Sequence, residues 1–153
     1  MMMTIRPIKE SDFSQYQEIE NESFIDPYSE KDLLYQMNEN PVNKILVITD
    51  EKDKEKILGF IDYMVTFNSA SICQIAVRKE YRHRGYAKML LKAMEDTFIK
   101  EGDEKVEFIT LEVRVSNTDA VRLYQRNGYE FVTIKKNYYK NGENAMYMVK
   151  AVN

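Results

Sequence analysis

Apolar side chains recur at helical spacing in one long segment of the chain and alternate with polar side chains in several shorter segments. The long segment predicts a helix that begins after Arg84 and ends at Gly102, because glycine favours helix termination. Its apolar face comprises Ala87, Leu90, Leu91, Met94 and Phe98. The other segments predict strands at residues 4–8, 45–49, 57–67, 71–77, 108–114, 129–135 and 145–149.

Three shorter helices are indicated by capping and breaking residues. Ser11 is predicted to cap a first helix, which the Asp-Pro-Tyr sequence at residues 26–28 interrupts. Residues 29–32 form an acidic variant of a capping box, and they predict a second helix that ends near Met37. A further short helix is predicted at residues 119–127.

Two turn signals complete the predicted fold. The mixed-sign charged run at residues 50–56 predicts a hairpin loop, and Asn141-Gly142 predicts a two-residue turn before the last strand. The order of elements is β-α-α-β-β-β-α-β-α-β-β, with a strand-helix-strand unit at residues 71–114. We predict a mixed α/β (α+β) fold with a central sheet of about seven strands, and residues 1–153 as one domain.

Composition excludes several classes of protein. With 44% hydrophobic residues and 12% aromatics, the chain has the material for a core that a disordered chain lacks. A net charge of −3 disfavours direct nucleic-acid binding. One cysteine and one histidine exclude a disulfide scaffold and a zinc site of several His or Cys ligands, so we expect no metal. The sequence shows neither the ~18 apolar residues of a membrane helix nor a long apolar signal, so we expect a cytoplasmic monomer or dimer.

Residues 75–88 combine a strand, a basic turn and the start of the long helix. Residues 78–92 contain six lysines and arginines and one glutamate, so this window carries +5 and the rest of the chain −8. A helix N-terminus presents free N–H groups, and Gly85 allows a ligand to approach the main chain closely. The segment therefore predicts a site for a ligand with several phosphates. The Walker and dinucleotide-binding fingerprints are absent, and the alternative is a basic surface turn that binds nothing.

Two motifs link the chain to a known family. Residues 82–87, Arg-His-Arg-Gly-Tyr-Ala, resemble motif A of the GNAT superfamily of N-acetyltransferases, which reads Gln/Arg-x-x-Gly-x-Gly/Ala. Residues 111–124, Leu-Glu-Val-Arg-Val-Ser-Asn-Thr-Asp-Ala-Val-Arg-Leu-Tyr, resemble a run of the RimI-like ribosomal-protein-alanine N-acetyltransferases, as do residues 127–129, 134–139 and 26–29. The resemblance covers nearly the whole chain. It implies the GNAT fold, acetyl-CoA as co-substrate, and as acceptor a protein N-terminus such as that of a ribosomal protein.

The resemblance also implies roles for individual residues. Glu112 is implied as the general base that takes the proton of the attacking amine, and Tyr124 as the general acid that protonates the departing thiolate. The transfer would be direct, within a ternary complex. Asn117 is also placed to cap the following helix. The implied coenzyme-binding residues are Ile75, Ala76, Val77, His83, Arg84, Gly85, Tyr86, Ala87, Lys88 and Asn117.

Alternatives stay open at these positions. From the strand pattern alone, Glu112 is a solvated residue paired with a nearby lysine or arginine, and Tyr124 is a packing residue. His83 is expected to contribute backbone contacts rather than to act as a base, and Cys73 to be a small core residue rather than a nucleophile. Tyr28 replaces the family's tryptophan, which leaves the acceptor less defined than the coenzyme. Two other functions remain: transfer to lysine or a small amine, and a non-catalytic coenzyme-binding module.

Overall fold

The computed structural model describes residues 2–100 and 106–152, and within them seven strands form one mixed sheet. The strands are β1 (Met3–Pro7), β2 (Asn43–Asp50), β3 (Asp53–Val65), β4 (Ser69–Val77), β5 (Phe108–Arg114), β6 (Glu130–Lys135) and β7 (Ala145–Ala151). The helices are α1 (Phe13–Ser23), α2 (Glu30–Asn38), α3 (Tyr86–Lys100) and α4 (Thr118–Arg126), with short 3-10 turns at Glu10–Asp12 and Lys79–Tyr81. The predicted order of helices and strands is confirmed.

The sheet has the spatial order β1-β2-β3-β4-β5-β7-β6, and β4 and β5 are parallel. Helix α3 connects these two strands, as a parallel pair requires a crossover. Their pairing runs from Ser69 opposite Phe108 to Ile72 opposite Leu111. In the described part of the chain the register of this pair continues no further, so the C-terminal halves of β4 and β5 diverge. This divergence opens the sheet beside the start of α3.

Each face of the sheet carries its own hydrophobic core. On one face, α3 buries its predicted stripe: Leu90, Leu91 and Met94 are fully buried and Phe98 is nearly so. On the other face, α1 and α2 cover β2 and β3 through a second set of fully buried residues, namely Tyr16, Ile19, Leu33, Val47 and Phe60. Burial of each such side chain contributes ~1.5–3 kcal/mol. The two cores hold the diverging strands of the sheet between two layers of helix.

The start of α1 differs from the prediction, whereas the start of α2 agrees with it. Ser11 does not cap α1, because it lies inside the 3-10 turn that precedes the helix. The Asp12 carboxylate instead accepts the Lys9 N–H at 2.9 Å and pairs with Arg6 at 2.7 Å. Ser29 caps α2 as predicted, since its Oγ accepts the Asp32 N–H at 3.1 Å. The Asp12 carboxylate thus closes the 3-10 turn, and Arg6 from β1 holds that carboxylate in place.

The predicted two-residue turn at Asn141-Gly142 is wrong as a hairpin loop. Strand β6 ends at Lys135 and β7 begins at Ala145, so residues 136–144 form a longer connection. Within it, Gly142 has a φ of +84° and donates its N–H to the Tyr139 carbonyl at 2.8 Å. The prediction that Gly102 ends α3 falls outside the described residues. None of the helices in the described ranges is both long and apolar enough to cross a membrane.

Candidate active site

The basic turn has an unusual backbone just before α3. His83 and Gly85 have φ values of +65° and +86°, in the left-handed region that disfavours a side chain. A Cβ built on Gly85 would meet no atom within 4 Å, so the space beside this residue is open. The first hydrogen bond of α3 joins the Met89 N–H to the Gly85 carbonyl at 3.1 Å. The N–H groups of the first helical turn are therefore directed at the open space, where they can bind an anion.

Two arginines attach this turn to the rest of the fold. Arg78 is buried, donates from Nε to the Ile57 carbonyl at 2.7 Å and pairs with Glu18 on α1. Arg82 donates from Nε to the Val77 carbonyl at 2.9 Å and from Nη2 to Ser23 Oγ at 3.2 Å. Because both guanidinium groups contact backbone or α1, the turn is fixed before any ligand arrives.

A groove of about 760 Å³ runs from the end of β4 past this turn to α4. The predicted coenzyme-binding residues that line it are Ile75, Ala76, Val77, His83, Gly85, Tyr86, Ala87, Lys88 and Asn117. The side chain of Arg84 is used elsewhere, because its Nη2 donates to the Glu80 carbonyl at 3.3 Å and its guanidinium lies 5.2 Å from the Tyr81 ring centroid. Asn117 also caps α4, since its Oδ1 accepts the Ala120 N–H at 3.2 Å.

Three arginines that line the groove were missed by the sequence analysis. Arg82 lies on the turn, and Arg122 and Arg126 lie on the facing wall, on α4. The spacing of Arg122 and Arg126, four residues apart, is the signal that would have placed both on one helix face. Together with the helix N-terminus and Lys88, they fit a ligand with several phosphates at one end of the groove. The apolar end at Ile75–Val77 fits an uncharged arm.

Glu112 lies on β5 just past the point where β5 leaves β4. It stands directly opposite Tyr147 on β7, and its side chain is 23% exposed. Its Oε1 accepts a hydrogen bond from Lys135 Nζ on β6 at 2.6 Å. The strand pattern left open that Glu112 pairs with a nearby lysine or arginine, and the structure shows such a pair. Glu112 is nonetheless mostly buried at the opening of the sheet, so the ion pair does not make it a surface residue.

Tyr124 lies on α4 and is buried, with 5% of its surface exposed. Its ring packs edge-on against the ring of Tyr129, with 5.6 Å between the centroids. The alternative in which Tyr124 is a packing residue therefore also agrees with the structure. Burial raises the pKa of Tyr124 above its ordinary value of 10.0, with a smaller contribution from Tyr139. The phenol is therefore protonated at neutral pH and can serve only as a proton donor. The charge of Glu112 also helps to raise the pKa of Tyr139, so Tyr139 lies within the electrostatic reach of both groups.

Two fully buried carboxyl groups lie under the loop that follows α1, and the sequence analysis missed both. Glu20 Oε2 accepts the Tyr28 N–H at 3.0 Å and Gln74 Nε2 at 2.8 Å. Asp62 stands opposite Gln74 in the sheet, and burial raises its pKa to about 7. Glu20 follows Tyr16 by four residues on the buried face of α1, and Asp62 interrupts an apolar strand. A charge at a core position was the available signal in both cases.

His83 and Cys73 take the roles expected of them only in part. His83 is exposed and lines the groove beside the helix N-terminus. Cys73 is half-buried rather than in either core, and its Sγ donates to the Ser71 carbonyl at 3.8 Å. Burial raises the pKa of the Cys73 thiol to about 12. A nucleophilic cysteine needs a lowered pKa, so this environment disfavours an acetyl-cysteine intermediate.

Comparisons with known proteins agree with this geometry. Residues 13–129 match the Acetyltransferase (GNAT) family. The chain is 33% identical over 148 residues to the ribosomal protein bS18-alanine N-acetyltransferase of Haemophilus ducreyi, covering 94% of this chain and 97% of that one. The crystal structure of the Escherichia coli ribosomal-protein-S18-alanine N-acetyltransferase has 29% identity and a TM-score of 0.86, covering 99% and 95% of the two chains. Ard1 from Thermoplasma volcanium has 25% identity and a TM-score of 0.88, covering 100% and 99%.

The fold, the open N-terminus of α3 and these matches together point to one class of enzyme, a coenzyme-dependent acyltransferase. The chain belongs to the GNAT family of acetyltransferases. It is an acetyl-CoA-dependent N-acetyltransferase with the GNAT fold. The predicted fold, enzyme class, co-substrate and resemblance to ribosomal-protein-alanine N-acetyltransferases are thereby confirmed.

Proposed function

We propose that this enzyme acetylates the N-terminal α-amine of a protein, and that its acceptor is ribosomal protein bS18 or a protein with a similar N-terminus. The observation that carries this proposal is 33% identity over nearly the full length of a relative named for that activity. We also propose that residues 1–153 act as a single domain and that the reaction takes place in the cytoplasm. The single half-buried thiol, Cys73, is compatible with a reducing compartment.

The chemistry of the acceptor supports an α-amine. An α-amino group titrates near ~7.7–8.0 and a lysine side chain near ~10.4, so the α-amine is uncharged a few hundred times more often at neutral pH. The uncharged nitrogen attacks the thioester carbon, forming the C–N bond. Glu112 is our proposed general base, because it is a carboxylate at the opening of the sheet within reach of an amine lying beside β4 and β5. It takes the proton directly or through one water.

The end of β4 and α4 supply the other two parts of the proposed mechanism. Residues Ile75–Val77 line the apolar end of the groove. We propose that a backbone N–H of this segment stabilises the oxyanion, an effect of ~2.7–4 kcal/mol per donor. As the C–S bond breaks, Tyr124 protonates the thiolate. Burial disfavours the thiolate as well as the phenolate, so the burial of Tyr124 does not by itself oppose the transfer of a proton from the phenol to the sulfur.

The acceptor is tested with three amines at equal concentration, each incubated with the enzyme and acetyl-CoA and analysed by mass spectrometry. The first is a peptide with a free N-terminal alanine taken from bS18, the second is the same peptide with its α-amine formylated and one internal lysine, and the third is spermidine. We expect acetylation of the first only. Acetylation of the lysine or of spermidine without the free α-amine would reject the proposed acceptor and favour a small-amine or lysine acetyltransferase.

The catalytic roles are tested with Glu112→Gln and Tyr124→Phe. We expect each to lower kcat by ~10²–10⁴-fold, the usual contribution of general acid–base catalysis, while the Kd for acetyl-CoA measured by calorimetry stays the same. Glu107→Gln, just before β5, is the control carboxylate and should leave both quantities unchanged. Wild-type turnover in both catalytic variants would remove this mechanism, whereas acetyl-CoA binding without turnover in the wild type would favour a non-catalytic coenzyme-binding module.

A further inference from the structure

The ion pair between Lys135 and Glu112 is confined by aromatic rings. Lys135 Nζ lies 2.6 Å from Glu112 Oε1, 4.5 Å from the ring centroid of Tyr147 and 5.7 Å from that of Tyr138. The lysine side chain is 40% exposed and the glutamate side chain 23%. A lysine ammonium group held over aromatic faces has few other positions in which it can form contacts. The contact is therefore better fixed than an ordinary exposed salt bridge.

The sheet register shows that Glu112 and Lys135 do not lie on adjacent strands. Glu112 is opposite Tyr147 on β7, whereas Lys135 is on β6, opposite Ala145. Strand β7 lies between the two, so their backbones are about two strand spacings apart, or about 10 Å. Both side chains reach across the same face of β7 to meet. Cross-strand pairs normally join adjacent strands, so a contact over this distance points to a role for the lysine at the carboxylate.

Among the described residues, Lys135 Nζ is the cationic group that contacts the Glu112 carboxylate. Arg114 lies two residues further along β5, but it pairs with Glu143 at 2.9 Å and its guanidinium lies 4.0 Å from the Tyr139 ring centroid. Burial is the main cause that raises the pKa of Cys73, Tyr138 and Tyr139, and the charge of Glu112 adds to it. The hydrogen bond from Lys135 to Glu112 raises the pKa of Lys135 itself. One ammonium group is thus in direct contact with the carboxylate, whereas the nearby guanidinium has another carboxylate as its partner.

We propose that Lys135 is a positioning residue that holds the Glu112 carboxylate in place for proton abstraction. This inference rests on the proposed function, because it assumes that Glu112 is the base. The ion pair engages Oε1, which leaves the second carboxylate oxygen to accept the proton of the acceptor amine. Lys135 needs no contact with either substrate. Its effect is expected on the orientation of Glu112.

The test compares Lys135→Met with Lys135→Arg, and with Lys136→Met as the matched control at the exposed neighbouring position. For Lys135→Met we expect kcat to fall ~10-fold, since small displacements of a catalytic group are costly. The KM for acetyl-CoA should not change. Lys135→Arg should restore kcat to within about threefold.

A merely structural lysine would lower stability without lowering the kcat of the folded variant. An unchanged kcat in Lys135→Met, no recovery in Lys135→Arg, or the same loss in Lys136→Met would overturn the proposal. If the wild type acetylates an amine other than an N-terminal one, the proposed acceptor is wrong, and the same variants are compared on the amine that reacts. The ion pair is checked without any acceptor by ¹⁵N NMR of the lysine side chains. The pKa of Lys135 should be raised in the wild type and fall in Glu112→Gln, and an ordinary value in the wild type would also overturn the proposal.

Discussion

Replacement of the buried Asp62 by asparagine should stabilise the enzyme, and more so at alkaline than at acidic pH. Asp62 is fully buried, and its Oδ2 lies 3.4 Å from the Tyr16 hydroxyl. Its Oδ1 has no hydrogen-bond partner among the described residues, and neither have Glu20 Oε1 and Gln74 Oε1 nearby. An asparagine side chain at position 62 keeps an oxygen that accepts the hydrogen bond of the Tyr16 hydroxyl. Its NH2 group also adds a donor beside side-chain oxygens that have no hydrogen-bond partner. It also removes a charge that burial disfavours.

The size of the effect follows from the pKa of Asp62, which burial raises from 3.8 to about 7. The folded state therefore holds the proton more tightly than the unfolded state. The contribution of this group to stability is greatest below pH 3.8 and falls as the pH rises towards 7. Each pH unit in that window costs ~1.4 kcal/mol, so full ionisation costs about 4 kcal/mol above pH 7. Between pH 5 and pH 8 the wild type should lose about 2–3 kcal/mol from this group alone, whereas the asparagine variant should lose none.

The assay is urea unfolding of both proteins at pH 5 and pH 8, followed by circular dichroism and compared at equal m values. Other titrating groups cancel in the difference between variant and wild type, so that difference should grow by about 2–3 kcal/mol from pH 5 to pH 8. Asp53→Asn, at the exposed start of the same strand, should change stability by less than ~0.5 kcal/mol at either pH. A difference that does not depend on pH would refute the argument.

Two further predictions concern Gly85 in the turn before α3 and the ion pair between Lys150 and Glu95. Gly85→Ala should cost ~1–2 kcal/mol of stability because of its φ of +86°, and should weaken acetyl-CoA binding at least 10-fold by calorimetry. Gly142→Ala has a φ of +84° and equally open surroundings, so it should lose similar stability but keep its affinity. Lys150→Met should destabilise by ~3 kcal/mol in the same urea assay, because it leaves Glu95, 6% exposed, with Tyr129 as its remaining partner among the described residues. A loss below ~1 kcal/mol would contradict this expectation.

Two predictions that depend on spacing along one helix are confirmed, namely the buried stripe of α3 and the cap at Ser29. The cap at Ser11 is wrong because this residue lies inside a 3-10 turn, which Asp12 closes by accepting the Lys9 N–H while it pairs with Arg6. Asn141-Gly142 failed because its turn is one part of a longer connection, and sequence pattern does not reveal the length of a loop.

Predictions that depend on the sheet could not be made from local pattern. Glu112 and Lys135 lie on strands separated by β7, and β7 comes last in the chain. The order β5-β7-β6 that brings them to the same face is a property of the completed sheet. Glu20 and Asp62 were likewise visible as charges at apolar positions, but their proximity depends on the packing of α1 on β3 and β4. The residues of the site could therefore be named from their motifs, whereas their partners could not.

Arg78 and Arg82 attach the proposed coenzyme-binding turn to α1, the helix that leads into the loop around Tyr28. The turn and the proposed acceptor loop are consequently fixed to the same helix. We therefore expect the protein, rather than either substrate, to set the gap between the donor carbon and the acceptor nitrogen. Such an enzyme should accept protein substrates that differ beyond their first residues. It should react far less well with a donor that carries a longer acyl chain.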